Sequence, residues 1–198
     1  MISPLYLRNK MLKLSKIYID RPHYQLSTSE KNEIEDFIWS EYKKLDIDIK
    51  YVNYQPYSNS KEIKKDLIQG FIRVTTLHNN SSILTFDGNL RFRALHDFHH
   101  SSLNLGFNFP GEYLAFQYIA KLSNSFFIRQ ILFSEIVLQV STFYYIGRSY
   151  PKDEKIILMD DIEFYNEKEL KYFSDNFSSI SKYFDCDEKK EYWQDLEK

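Results

Sequence analysis

Residues 91–112 read RFRALHDFHHSSLNLGFNFPGE, and their spacing predicts two helices folded back on each other. At ~100° per residue, Arg93, His96, Asp97, His100 and Asn104 share one helical face, with His99 off to its side. Asn108-Phe109-Pro110-Gly111 has the chemistry of a turn, and Glu112 then lines up with Ala115, Phe116 and Ile119 on a second helix. These helices fall near 90–103 and 112–122. A third and more apolar one follows near 126–146, with Gly147 and Pro151 placed to close it.

Working outward, Ser27 and Glu30 are spaced as a capping box. Ile34, Phe37, Ile38, Tyr42 and Leu45 then recur at helical spacing, so 29–45 is expected to be helical. Ile63, Leu67 and Ile68 before Gly70 suggest a short helix over 60–69. Residues 71–77 and 82–86 are β-branched and aromatic around a polar His78–Ser81 turn, which predicts a β-hairpin. The opening 30 residues show no sustained period. Residues 152–198 hold 14 acidic and 8 basic side chains, the signature of a solvated surface, and their pattern fits helices near 166–183 and 187–197. The expected fold is mainly α: a helical bundle with a small β-hairpin. A chain of 198 residues suits one domain, with helices and hairpin over 29–88, the histidine-bearing helices over 89–151 and an acidic helical tail over 152–198.

The bulk numbers exclude several classes. A net charge of −2 supplies no basic stripe for nucleic acid. The single cysteine, Cys186, forms neither an internal disulfide nor a thiolate metal cluster, which suits a reducing compartment. No apolar run approaches the ~20 residues of a membrane span, and the N-terminal stretch is too charged for a signal peptide. A cytoplasmic protein is expected, and no feature of the sequence sets its oligomeric state.

The chemistry concentrates where charge meets apolar surface. Between residues 98 and 151 the only carboxylates are Glu112 and Glu135, each on an otherwise apolar stripe. Burying an ionised carboxylate costs several kcal/mol unless it is paired, hydrogen-bonded or bound to a cation. Two histidines at i and i+4 aim at one spot, and Glu112 is the natural third ligand. His96, Asp97, His100 and Glu112 are therefore the candidate metal ligands. Glu135 and Gln139 are read either as orienting a ligand or as acting directly, as ligand or general base, and Arg93 as a partner for Asp97 or Glu135 or, in the alternative, for substrate. His99 is left between a core role and a place behind the ligands, while His23 and His78 read as structural. Imidazoles with hard oxygens suit Zn, Fe or Mn.

The run His96-Asp97-Phe98-His99-His100, eleven residues and Glu112 resembles the H-D-x-x-H…E signature of the metal-binding protein family of coenzyme Q biosynthesis. That resemblance covers about 17 residues. It implies metal binding by His96, Asp97, His100 and Glu112 and chemistry on an aromatic or quinoid small molecule. The wider block, with Phe92-Arg93, Gly111-Glu112 and Glu135-x-x-x-Gln139, is similar to uncharacterised bacteriophage-encoded proteins, which implies a host-cytoplasm location and no particular activity. Two functions follow as expectations. The first is a divalent-metal-dependent enzyme, a hydrolase or lyase with Asp97 and Glu135 as catalytic groups and a small-molecule substrate. The second is a non-catalytic phage virion or host-interaction protein whose His/Glu cluster only fixes helices.

Overall fold

A computed structural model describes residues 2–81, 83–147 and 154–184. It is mainly helical with a small β element, as the sequence predicts. In chain order it contains α1 (Pro4–Asp20), α2 (Thr28–Tyr42), β1 (Asp48–Val52), α3 (Ser60–Ile68), β2 (Phe71–Thr75), α4 (Phe86–Ser102) and α5 (Phe109–Lys121). A long helix follows in three parts: α6 (Phe126–Leu132), a π-helical turn (Phe133–Leu138) and α7 (Gln139–Tyr145). Last come α8 (Glu167–Asp175), α9 (Phe177–Ile180) and a 3₁₀ turn (Ser181–Tyr183), so the single helix expected near 166–183 is broken at Asn176. The helix expected over 187–197 lies outside the described residues.

The strands do not form a hairpin. β2 pairs with β1 in parallel, Asp48 opposite Phe71 through Val52 opposite Thr75. The reason is the connection: α3 stands between the two strands, and a crossover of that length returns the chain in the same direction. Residues 83–86 are not strand either. Their polar groups go into starting α4, with Thr85 Oγ1 accepting from Gly88 N at 3.1 Å and Asn79 Nδ2 donating to Phe86 O at 2.7 Å.

The start of the chain is a helix, contrary to the reading of no sustained period. Ser3 caps it by accepting from Tyr6 N at 3.1 Å, and Pro4 sits in the first turn, where its missing N–H costs nothing. Leu7, Met11, Leu14 and Tyr18 form its buried stripe against α7. Arg8, Lys10, Lys13 and Lys16 interleave with that stripe and mask it in the sequence.

Two apolar clusters organise the molecule. The larger gathers α1, α2, α5 and the long helix around Tyr113, Phe116 and Phe133. The smaller holds Tyr57, Ile63, Ile72, Val74, Leu90 and Ala94 between α3, the strand pair and α4. Helix α4 serves both, sending Leu95 into the larger cluster and Leu90 and Ala94 into the smaller. The stretch Phe126–Tyr145 is long and apolar enough to cross a membrane, where the sequence reading saw no such run, yet 61% of it is buried inside the protein. That is the position of a core helix.

Candidate metal centre

Helix α4 ends in a way that aims its last turn at α5. Asn104 takes the left-handed conformation at φ 52°, and Leu105 N reaches back to His100 O at 2.8 Å, closing the helix one turn after His96 and His100. Asn104 thus terminates the helix and does not join the site. The chain turns through Gly106 and Phe107 to Asn108, whose Oδ1 caps α5 by accepting from Gly111 N at 3.0 Å. Asn108 Nδ2 donates to Ser174 O at 3.2 Å, and Ser174 Oγ accepts from Gly106 N at 3.1 Å, so α8 pins this turn. Gly111 is required here because a Cβ would stand 2.1 Å from the Gly106 carbonyl oxygen. The close approach places Glu112, in the first turn of α5, directly beneath the two histidines.

Nε2 of His96 lies 3.0 Å and Nε2 of His100 3.2 Å from the same oxygen, Oε2 of Glu112. The two imidazoles meet edge to face with centroids 4.5 Å apart. One ligand atom from each of His96, His100 and Glu112 lies within 4.8 Å of the others, a group that could hold a metal ion. The spacing fits such an ion: ligands ~2.1 Å from a common centre stand ~3.0 Å apart at a right angle and ~3.4 Å apart at a tetrahedral one. His100 is fully buried and Glu112 13% exposed, whereas His96 at 23% opens the group to solvent on one side.

Electrostatics sharpen the picture. Burial alone would raise the Glu112 carboxyl, but His100 and His96, through charge and hydrogen bonds, hold it well below the usual carboxylate range. Asp97 moves the other way: burial first, and the neighbouring Glu112 charge, push it up to about 7, against the opposing pull of His96 and Arg93. No hydrogen bond or ion pair holds the Asp97 carboxyl among the described residues. Nδ1 of His100 is buried with no hydrogen-bond partner. A network built only for stability normally satisfies such atoms.

The remaining candidates are placed elsewhere. Arg93 donates to the carbonyl oxygens of Thr75 (3.1 Å), Leu77 (2.8 Å) and His78 (2.6 Å), and so binds the end of β2 in addition to its charge interaction with Asp97. His99 is not in the ligand group; its ring packs 4.9 Å from Tyr118 of α5, and burial holds it down to about 4. His78 is exposed, and Nδ1 of His23 accepts from Ile156 N at 2.9 Å. Glu135 and Gln139 are not brought to the histidines. They hydrogen-bond each other at 2.9 Å on the π turn and its successor, and the other groups acting on Glu135 are Glu154 and Tyr18. Burial, then Glu154, push Glu135 up to about 8.

Phe92, of the Phe92-Arg93 pair, stands 6.1 Å from His96. Phe107, which packs its ring 4.8 Å from His100, was not foreseen from the sequence, because in a chain this rich in phenylalanine it carries no local signal. No protein-family model matches the chain, and comparisons with curated proteins and with solved structures find no match.

Proposed function

We propose that this protein is a divalent-metal-dependent enzyme, with His96, His100 and Glu112 as the ligand set and Asp97 beside them. The observation that carries the proposal is the meeting of two imidazole nitrogens on one buried carboxylate oxygen, with Asp97 left unpaired at its edge. Two histidines and one carboxylate suit Zn, Fe or Mn and leave positions for other ligands, unlike a closed, cysteine-rich structural zinc site. When bound, the ion supplies Lewis acidity toward a substrate oxygen. Asp97, pushed up to about 7, is suited to take and return a proton near neutral pH. Hydrolysis or elimination on a small molecule is the reaction class that uses these groups. His96, on the open side, sets the direction of approach, and Phe107 excludes water from His100.

A second reading has one observation in its favour: Glu112 already accepts from both histidines, which ties α4 to α5 without a cation. Titration of Zn, Mn and Fe(II) into tag-free, chelator-treated protein decides between the two. We expect one ion per chain, lost in His96→Ala, His100→Ala and Glu112→Gln and retained in His78→Ala. Absence of binding in the parent protein, with thermal stability alone altered in the variants, overturns the metal proposal.

A further inference from the structure

The strand pair is incomplete as a sheet. Parallel strands normally lie inside larger sheets covered on both faces, but among the described residues β1 pairs only with β2. The register fixes which of its backbone groups remain. Asp48 N donates to Gly70 O and Val52 O accepts from Thr76 N, so Asp48, Lys50 and Val52 bond toward β2 and the alternate residues Ile49 and Tyr51 point their N–H and C=O groups away from it. Among the described residues nothing takes those groups. Beside this edge Tyr51 is 48% exposed and lies next to Tyr42, which stacks on Trp39, itself 41% exposed, at 5.9 Å. An open edge next to exposed aromatic rings is a template for strand addition.

We propose that a second copy of this chain occupies the edge, with β1 pairing antiparallel to β1 about a twofold axis at Ile49. The sequence Asp48-Ile49-Lys50 is self-complementary in that register alone. With the axis at Ile49, Ile49 exchanges backbone hydrogen bonds with Ile49 of the second copy, and Asp48 stands opposite Lys50 of the second copy twice over. These are the non-hydrogen-bonded positions, where facing side chains come closest. An axis at Lys50 would set two lysines face to face, and one at Tyr51 would pair Lys50 with Val52 and leave both charges unmatched. Lys50 is held on the outer face by the Phe71 ring, 3.5 Å from its Nζ, and Asp48 and Lys50 are both exposed. The product is a four-stranded sheet in the order β2-β1-β1-β2, isologous as a twofold interface requires.

Sedimentation of the full chain across the micromolar range tests this, with circular dichroism checking that each variant folds. The parent protein is expected to dimerise. Lys50→Asp and Asp48→Lys, which put like charges opposite each other twice, should each weaken the dimer about tenfold or more. The exchange Asp48→Lys with Lys50→Asp should restore it. A parent chain that stays monomeric, a dimer indifferent to Lys50→Asp, or a double exchange that fails to recover association overturns the proposal.

Discussion

Asp97 and Glu112 are both carboxylates at one site, and their surroundings drive them in opposite directions. Glu112, held below the usual range by its histidines, adds stability above its unfolded pKa that is lost only as pH falls through its folded value. Asp97, raised to about 7, does the reverse: the folded state holds its proton longer, so stability falls as pH climbs from ~4 toward 7. Asp97→Asn should therefore stabilise the metal-free protein at pH 8 relative to pH 4, measured by urea unfolding. The same variant should bind the metal roughly ten- to a hundredfold more weakly in titration. Glu135, raised to about 8, follows the same sign across ~4.5 to 8. Glu135→Gln is expected to gain roughly 1–2 kcal/mol at pH 8 and to leave metal affinity unchanged, because its hydrogen-bond partner is Gln139 and the charges acting on it come from Glu154 and Tyr18, not from the histidines. A loss of affinity in this variant would restore Glu135 to the site. In sequence Glu135 looks like a member of the cluster, because both interrupt apolar stripes. Burial of a carboxylate is legible from such a pattern, but the partner it finds depends on packing between distant elements.

At the level of elements, the α4–α5 turn is the critical piece, and its tolerance is narrow. Gly111→Ala drives a methyl into the Gly106 carbonyl, 2.1 Å away, and the turn cannot yield easily while Ser174 and Asn108 hold it. We expect a loss of about 2–4 kcal/mol together with weakened metal binding, since Glu112 is the next residue. Denaturant titration and metal titration of the same variant check both parts. The i, i+4 histidines and Glu112 on the following helix were readable in sequence because helix period is local, whereas the turn expected at 108–111 lies earlier in the chain, since Asn108 caps α5 and Phe109–Gly111 form its first turn. The parallel pairing of β1 with β2 was not. DIKYV carries alternate charges that disguise a strand, and strand direction was set by α3, an element whose consequence for topology no residue in the strands announces. Helix α1 was missed for a related reason, its core stripe of Leu7, Met11, Leu14 and Tyr18 being interrupted by Arg8, Lys10, Lys13 and Lys16.

For the whole molecule, what matters is that α4 belongs to both apolar clusters. An ion gripped between α4 and α5 acts on the folded state only, so at a hundredfold excess over its dissociation constant it should add about 2.7 kcal/mol, read as a rise in melting temperature absent from His100→Ala. The effect need not stop at the histidines. Arg93, one turn before His96, grips the carbonyl oxygens of Thr75, Leu77 and His78, and His78 is itself held in the left-handed region at φ 52°. That grip acts as a mooring line from the ligand helix to the far end of the strand pair. Opening of residues 75–78 then requires Arg93 to let go, which becomes harder once an ion has stiffened α4. Deuterium uptake at the backbone amides of Thr75 to His78 should slow when metal is added, as it would not if the strands opened independently of the helix. In Arg93→Lys, whose single ammonium cannot span three carbonyls, the slowing should vanish while the metal still binds.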